Sequence, residues 1–317
     1  MQNHPQLSVI VPCHNGVSTL PMLLESLEDQ HLSVNAEVLL CDNGSTDDLR
    51  GFVRRWSSSV FDLRYVEASA HRGAAFARNR GISEARADKL AFCDADDAVG
   101  PVWMRSAIDA LDAEPVVNGS ALSVPADVFR STNRLAEVRE ARLRHDVPGH
   151  LPLAGMGDVA PALMGGNFAA QRTYLVNLGG FDASMWRGGE DNDLSYRIAA
   201  TGLKLRETEG MGILYRDPAN LSSSLLKSFQ HARSLALVCA RHDAWSSARP
   251  YERHPLVTLA RCAGSFGKML LGKKQKDLAS VASRASTALG LLDGLVRYTV
   301  FRRTPESQVS RGLVDEG

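Results

Sequence analysis

The sequence predicts an α/β protein with a mostly parallel sheet, helices on both faces of that sheet, and a helical C-terminal region. Three short segments, at 7–12, 36–42 and 88–94, are nearly continuous runs of apolar residues, as expected for strands buried on both faces. Segments with apolar residues at helical spacing lie between them, which favours parallel strands joined by helical crossovers. After about residue 220 only helical patterns occur.

The first hundred residues alternate between the two kinds of pattern. A helix with a leucine-rich face is expected after the first strand, and Ser45 or Thr46 can cap a helix after the second. A third strand, shorter and more polar, is expected at 63–68. A further helical segment then leads into the fourth strand, the one at 88–94.

Beyond residue 100 the pattern is less regular. A helix is expected at 101–113, where Pro101 suits the first turn, and a strand is expected at 119–130. A charged stretch with helical character then leads to a loop rich in Pro and Gly at 147–161, which is a candidate lid or acceptor-side insertion. The segment 165–202 is expected to end in a helix with one apolar face.

Composition and charge argue against several classes of protein. Lys and Arg together number 36, as do Asp and Glu, so the formal net charge is zero and the basic excess of a general nucleic-acid binder is absent. The sequence has no long uncharged apolar segment, so no transmembrane helix is expected, and the first residues do not resemble a signal peptide. Five scattered cysteines without a CxxC pair favour a reducing, cytoplasmic setting without structural zinc.

The segment LAFCDADD, at 90–97, poses the main chemical question. Three carboxylates, those of Asp94, Asp96 and Asp97, follow a buried strand, and a solvated turn is the ordinary explanation. However, the carboxyl ends of parallel strands share one edge of a sheet, where such proteins bind ligands. Carboxylates at this edge suit Mg²⁺ or Mn²⁺, which share their coordination sphere with substrate phosphates. The position therefore favours a site for a nucleoside diphosphate.

Two further segments carry charged side chains. In GGEDND, at 188–193, the carboxylates either stabilise a helix N-terminus or provide a general base, Asp191, that takes a hydroxyl proton. The two glycines before them would let an acceptor approach closely. The segment HRGAAFARNRG, at 71–81, is either an ordinary helix start or places Arg72 or Arg78 against a phosphate or a uracil.

Five segments occur in the order and approximate spacing of the family 2 glycosyltransferases: SVIVPCHNG, CDNGSTDD, HRGAAFARNRGIS, AFCDADD and GGFDASMWRGGEDNDLSYRIAATG. The chain resembles this family over roughly residues 7–218; each motif is weak alone, but five in order are highly specific. The resemblance implies the GT-A fold, with its Rossmann-like sheet. It also implies inverting transfer of a sugar from a nucleoside-diphosphate sugar, most often UDP-linked, to an acceptor hydroxyl.

The resemblance implies roles for individual residues. Asp94 and Asp96 would bind the metal, Mn²⁺ or Mg²⁺, together with the donor, and Asp191 would be the catalytic base. Many members have a His after the next strand; here Arg216 stands in its place, so the resemblance does not extend to a third metal ligand, and His231 is a poor substitute. The other donor-side residues would be Pro12, His14, Asn15, Asp42, Asn43, Arg72, Arg78, Gly166 and Asn167, and the acceptor-side residues Trp186, Gly189 and Glu190.

Other activities fit the sequence less well. A sugar-1-phosphate nucleotidyltransferase calls for a Gly-rich loop with a Lys or Arg after the first strand, and PCHNGVSTL has none. A dinucleotide dehydrogenase calls for GxGxxG at the same place, and this segment does not contain it. A sugar-nucleotide-binding or scaffolding module without turnover would not need both Asp96 and Asp191. The acceptor would be a glycan, a lipid-linked molecule or a small molecule.

We expect two parts, a catalytic domain at 1–218 and a helical subdomain at 219–317. The helical part mixes apolar residues with Lys and Arg. It is expected to pack on the catalytic sheet or on a second subunit. The alternative is that it rests on an anionic membrane surface, at the inner face of the cytoplasmic membrane, and brings the enzyme to a lipid-linked acceptor.

Overall fold

The computed structural model describes residues 4–31, 34–131, 134–144, 162–246, 248, 254–270 and 278–313. The predicted loop at 147–161 lies outside these residues. The strands of the described part are β1 (Leu7–Cys13), β2 (Ala36–Asp42), β3 (Phe61–Glu67), β4 (Lys89–Cys93), β5 (Ala98–Val99), β6 (Val116–Val124), β7 (Asn167–Gln171) and β8 (Arg206–Arg216). Its helices are α1 (Leu20–Glu28), α2 (Leu49–Arg55), α3 (Ala74–Glu84), α4 (Trp103–Leu111), α5 (Ala126–Ser131), α6 (Leu135–Arg144), α7 (Arg172–Asn177), α8 (Glu190–Ala200), α9 (Leu221–His242), α10 (Pro255–Leu270) and α11 (Leu278–Leu295).

The described strands form one sheet in the order β3-β2-β1-β4-β7-β6-β8-β5. β1 pairs in parallel with β2 and β4, β2 with β3, and β6 with β8, which confirms the predicted α/β class. β7 runs antiparallel to β4 and β6, and β5 antiparallel to β8. The C-terminal ends of β1, β2 and β4 therefore lie together at one edge of the sheet.

The continuous apolar strands bury side chains on both faces. In β1, Val9 and Val11 pack in the core formed with α1 and α4, whereas Ile10 packs in the core formed with α3. All three are fully buried, and each contributes about 1.5–3 kcal/mol of transfer free energy. Gly81 lets α3 approach the sheet closely, because a Cβ there would lie 2.4 Å from a methyl carbon of Ile10.

The predicted pattern differs most from the structure in one strand that is shorter than expected and one that was not expected. The strand expected at 119–130 is β6, Val116–Val124, and α5 begins at Ala126. Pro125 separates the two elements because it has no N–H for the sheet and suits the start of a helix. The segment from 165 to 202 begins with β7, a strand that the sequence pattern did not predict.

The C-terminal helices pack against each other and against the catalytic part. α9 and α11 approach closely because Gly290 has no side chain; a Cβ there would lie 2.3 Å from the carbonyl oxygen of Phe229. The chain after α11 then returns to the catalytic part, where the fully buried Asp182 accepts hydrogen bonds from Ser307 Oγ and from the backbone N–H of Gln308. Arg241 of α9 also pairs with Asp182, so α9 and the described segment after α11 are both joined to the sheet domain.

Among the described residues, no helix has the length and apolar character needed to cross a membrane. α10 leaves Leu256, Val257 and Phe266 exposed. Association of the C-terminal region with a membrane surface, or with a second copy of the chain, stays a prediction.

Candidate active site

A cavity of about 650 Å³ opens at the sheet edge where β1, β2 and β4 end, and we call it the sheet-edge cavity. Helix α3 and the segment before α8 complete its wall. Most of the side chains predicted for the donor side line it, namely those of Pro12, His14, Asn15, Asn43, Arg72, Arg78, Asp94 and Asp96. Trp186 and Glu190, predicted for the acceptor side, line the same cavity.

Two asparagines hold the loops around this cavity. Asn15 adopts a positive φ of 56°, and its Oδ1 accepts hydrogen bonds from the N–H of Thr46 at 2.7 Å and from its hydroxyl at 3.0 Å. Asn43 Nδ2 donates to the carbonyl oxygens of Ala68 and His71, and its Oδ1 accepts from the N–H of Gly73. Both side chains are therefore engaged in joining loops, a role that the sequence did not reveal.

Asp42 lies beneath the turn that follows β2. Its carboxylate is buried, and it accepts hydrogen bonds from the N–H of Ser45 and from the hydroxyl of Tyr65, each at 2.8 Å. Burial, together with bonds to Asp42 and Glu67, raises the pKa of Tyr65 to about 12. Asp42 is not among the residues that line the sheet-edge cavity, so in this structure it supports the turn.

Asn167, predicted for the donor side, lies in the core instead. It is fully buried in β7, where Nδ2 donates to the carbonyl oxygens of Ser120 and Met211 and Oδ1 accepts from the indole N–H of Trp103. These bonds connect β7 to β6, β8 and α4, and they leave no surface for a ligand. Gly166 beside it has a different function: a Cβ there would lie 2.3 Å from Asp94 Oδ2, so the glycine makes room for that carboxylate.

Arg78 joins the two acidic motifs. Its guanidinium donates to Asp94 Oδ1 at 2.9 Å and to Glu190 Oε1 at 2.8 Å, and its side chain is only 4% exposed. Burial alone would lower the pKa of Arg78, but the carboxylates of Asp94 and Glu190 raise it. Glu190 in turn has its pKa raised by burial and by the neighbouring Asp191, with Arg78 opposing. The sequence predicted that Arg78 lies against a phosphate or a uracil. The structure places its guanidinium between two carboxylates.

The turn after β4 concentrates negative charge. Asp97 is buried, with one oxygen accepting from the N–H of Arg216 at 2.9 Å and the other without a hydrogen-bond partner. Burial, and then the carboxylates of Asp94 and Asp96, raise the pKa of Asp97. Asp96 is exposed to solvent, yet partial desolvation and Asp94 raise its pKa as well, while Arg216 opposes this. Repulsion among these carboxylates would be relieved by a bound cation.

The donor set fits a hard divalent ion. Mg²⁺ and Mn²⁺ take oxygen ligands and are usually held by one or two carboxylates, waters and substrate phosphates. Asp94 and Asp96 line the same cavity, and the bonding of Asp94 to Arg78 fixes its orientation. Within the described residues, no group of three or more His, Cys, Asp or Glu side chains forms a metal site. Arg216, which stands where many family members have a His, is the last residue of β8, and His231 lies on α9.

A second cavity, of about 760 Å³, lies beyond Arg78, and we call it the helix-walled cavity because α9 and α11 form one side. It contains Asp191 at the start of α8, and Arg78, Asp94 and Glu190 line it as well as the sheet-edge cavity. Gly189, Gly166 and His231 also contribute to its wall. The participation of the C-terminal helices in this cavity is a feature that sequence patterns could not reveal.

The start of α8 depends on glycine. Gly189 has a φ of 91°, and a Cβ there would lie 2.7 Å from the Cβ of Ser234 in α9. The Oδ1 of Asp191 accepts a hydrogen bond from the N–H of Asn192 at 2.8 Å. Asp191 is half-buried, so its carboxylate is held by the helix start and still reaches the cavity.

Trp186 stands at the mouth of the sheet-edge cavity. Its ring lies 4.2 Å from the guanidinium of Arg187 and 5.7 Å from that of Arg72, and its side chain is exposed. Gly73 has a φ of 114°, and a Cβ there would lie 2.6 Å from the Cα of Trp186. The absence of a side chain at Gly73 thus lets the two segments close over the cavity.

Comparison with known proteins agrees with this architecture. Among solved structures, the mannosyltransferase PcManGT from Pyrobaculum calidifontis, in complex with GDP-Man and Mn²⁺, has a TM-score of 0.61 at 21% identity and covers 93% of this chain and 87% of its own. TarS 1-349 of S. aureus, in complex with UDP, has a TM-score of 0.50 at 16% identity, with coverages of 93% and 92%. At these identities the likeness shows the fold, which is that of the GT-A glycosyltransferases.

Sequence relatives give the family. Chondroitin synthase of Escherichia coli is 25% identical over 240 residues, which are 67% of this chain and 35% of that protein; the chain thus spans about a third of its length. A model described as the N-terminal domain of galactosyltransferase matches residues 154–216. The model described as glycosyl transferase family 2 matches residues 8–175, more than half of the chain. With this match and the fold in agreement, the chain belongs to glycosyl transferase family 2 and is a glycosyltransferase.

Proposed function

We propose that the protein transfers a sugar from a nucleoside-diphosphate sugar, most readily a UDP-sugar, to an acceptor hydroxyl with inversion at the anomeric carbon. The observation that carries this proposal is the shared wall of the two cavities. Arg78, Asp94 and Glu190 line both, with the acidic turn of β4 on one side and Asp191 on the other. A donor in the first cavity and an acceptor in the second would therefore meet at this ion-pair cluster.

The sheet-edge cavity suits the nucleotide part of the donor. It lies at the C-terminal ends of parallel strands, where open α/β sheets bind their ligands, and its volume of about 650 Å³ is typical of small-molecule sites. The exposed ring of Trp186 and the guanidinium of Arg72 provide stacking and charge at its mouth. The complexes of PcManGT with GDP-Man and of TarS with UDP support a nucleotide as the ligand.

Asp94 and Asp96 would hold a divalent ion, Mn²⁺ or Mg²⁺, which would offset the charge of the diphosphate and so make it a better leaving group. Arg78 acts as a positioning residue, because its two hydrogen bonds fix the carboxylate of Asp94 at the donor and that of Glu190 beside Asp191. The Mn²⁺ in the PcManGT complex supports a metal in this role.

Asp191 would take the proton of the acceptor hydroxyl as its oxygen attacks the anomeric carbon. The transition state is oxocarbenium-like, and a nucleotide leaves without needing an acid. Asp191 lines the helix-walled cavity, so the acceptor oxygen would attack from that cavity while the nucleotide leaves into the sheet-edge cavity. A single displacement in this geometry inverts the anomeric centre.

The C-terminal region would form the acceptor side. α9 and α11 contribute to the helix-walled cavity, so the region from 219 onward is part of the substrate-binding structure as well as a packing element. A glycan, a lipid-linked molecule or a small molecule would bind there. We propose a cytoplasmic location, with contact to the inner face of the membrane as the alternative that vesicle binding tests.

The proposal is tested with a panel of UDP- and GDP-linked sugars in the presence of Mn²⁺. Thermal stabilisation by one or more of these donors, and metal-dependent release of the nucleoside diphosphate, are the expected results. Once an acceptor is found, proton NMR of the product should show the anomeric configuration opposite to that of the donor. Retention of configuration, or absence of binding to all donors, would refute it.

A further inference from the structure

A third cavity, of about 360 Å³, lies on the other side of the acidic turn, and we call it the Arg216 cavity. Asp94 and Asp96 line both this cavity and the sheet-edge cavity, so the two are adjacent at the carboxylates where the diphosphate is proposed to bind. The Arg216 cavity brings two cationic side chains, Arg216 and Lys227, to these carboxylates.

Arg216 is held firmly at this position. Its backbone N–H donates to the buried carboxylate of Asp97, and its Nε donates to the carbonyl oxygen of Asp96, each at 2.9 Å. The guanidinium carbon lies 4.4 Å from the centre of the Phe129 ring. The positive charge is therefore fixed against the backbone of the DADD turn, and its planar guanidinium suits phosphate oxygens.

Lys227 reaches the same place from the C-terminal region. It lies on α9, its Nζ hydrogen-bonds the hydroxyl of Tyr215, and the ammonium lies 4.7 Å from the centre of that ring. Lys227 lines both the Arg216 cavity and the helix-walled cavity. Its ammonium is thus between the acidic turn and the cavity that contains Asp191.

We propose that Arg216 and Lys227 bind the diphosphate of the donor and carry part of the charge of the departing nucleotide. This inference rests on the proposed function. As the bond between the anomeric carbon and the phosphate oxygen breaks, its electron pair stays on that oxygen, while the acceptor oxygen bonds to the anomeric carbon and its proton goes to Asp191. The phosphate gains one negative charge in this step, so cations beside it bind the transition state more strongly than the ground state.

The remaining carboxylate of the Arg216 cavity is engaged by a neighbouring hydroxyl. Asp217 lines the cavity, and its Oδ1 accepts a hydrogen bond from the hydroxyl of Ser123. Asp94 and Asp96 would hold the divalent ion, and Arg216 and Lys227 would add their own positive charge beside the diphosphate. The C-terminal helix α9 therefore contributes to the departure of the leaving group as well as to the acceptor side.

The test measures nucleotide binding by calorimetry in EDTA. No divalent metal then contributes, and the positive charge at the diphosphate comes from the side chains of the protein. The probes are UDP and GDP, each compared with its monophosphate, UMP or GMP. The wild type should prefer the diphosphate over the monophosphate. Lys227→Met should lose this preference by about ten-fold, the range for one charge-assisted hydrogen bond, whereas Lys227→Arg should keep most of it. The matched control is Lys268→Met, which replaces an exposed lysine of α10 and should behave as the wild type.

A second readout separates this role from a structural one. With Mn²⁺ and a donor that is turned over, Lys227→Met should lower kcat by about ten-fold or more with a smaller change in KM, and its unfolding should match that of the wild type. An unchanged preference for the diphosphate in Lys227→Met, or equal loss of monophosphate and diphosphate binding, would overturn the inference while the proposed function stands. Failure of the wild type to bind either diphosphate with Mn²⁺ would overturn both.

Discussion

Replacing Arg78 by Met tests the ion-pair cluster at the centre of the site. Methionine keeps much of the packing volume but removes both hydrogen bonds, at 2.8 and 2.9 Å, and leaves two carboxylates without their cation. The side chain of Glu190 is 12% exposed and that of Asp94 is 35% exposed, so water can replace only part of the loss. Removing one partner of a buried pair costs about 3–5 kcal/mol, and the exposure of Asp94 places the expected loss near the lower end, about 3 kcal/mol.

The assay is urea unfolding followed by circular dichroism, at two pH values. The pKa of Glu190 is already raised by burial and by Asp191, and loss of Arg78 raises it further. An acid whose pKa is higher in the folded protein destabilises the fold above that pKa, and the cost falls as pH decreases through it. Arg78→Met should therefore be less destabilised at pH 5 than at pH 7.5, and Arg78→Met with Glu190→Gln should lose this dependence.

The control is Arg55→Met, which removes an ion pair with Asp48 whose side chains are 66% and 67% exposed. This variant should unfold at nearly the same urea concentration as the wild type, because exposed pairs contribute little. The reasoning about the cluster would be refuted if Arg78→Met unfolded like the control, or if its destabilisation were the same at both pH values.

The remaining predictions concern the metal, two glycines and the C-terminal region. Asp96→Ala should abolish the metal-dependent turnover of the donor, and turnover undiminished in the variant, or in wild type with EDTA, would contradict the proposed metal role. Gly166→Ala should lower activity strongly because its Cβ would displace Asp94. Gly264→Ala, whose Cβ would meet no atom within 4 Å, should raise the free energy of unfolding by about 1 kcal/mol. Equal changes in activity and in stability for the two variants would argue against the close contact at Gly166. Vesicles with anionic lipid should pull down the full chain at low salt but not a variant truncated near residue 245, if the C-terminal region rests on a membrane, and retention in the supernatant would assign that region to packing.

Local patterns were sufficient for the parallel half of the fold. β1, β2 and β4 are continuous apolar runs because helices cover both faces, and this composition is visible in the sequence. The position of Asp94 and Asp96 at the sheet edge follows directly from it. The strand predicted through 130 was too long because Pro125, which separates β6 from α5, was not recognised as a breaker.

Contacts between distant segments could not be predicted in this way. Arg78 and Glu190 are 112 positions apart in the chain, and nothing in either segment indicates that the guanidinium lies between two carboxylates. Asn167 follows two glycines, like a residue in a ligand-binding turn, yet its hydrogen bonds to Trp103, Ser120 and Met211 place it in the core. The approach of Lys227 to the acidic turn depends on how α9 packs over the sheet, which is a property of the whole fold.

The turnover and nucleotide affinity of Asp191→Asn test the central claim most directly. Asparagine keeps the size of the side chain and a hydrogen-bonding oxygen but cannot take the acceptor proton. The account predicts that kcat falls by about 10²–10⁴, while the affinity for the nucleoside diphosphate, which is proposed to bind in the sheet-edge cavity, changes little. Near-normal turnover together with a collapse of nucleotide binding would contradict it, because Asp191 would then belong to the donor side.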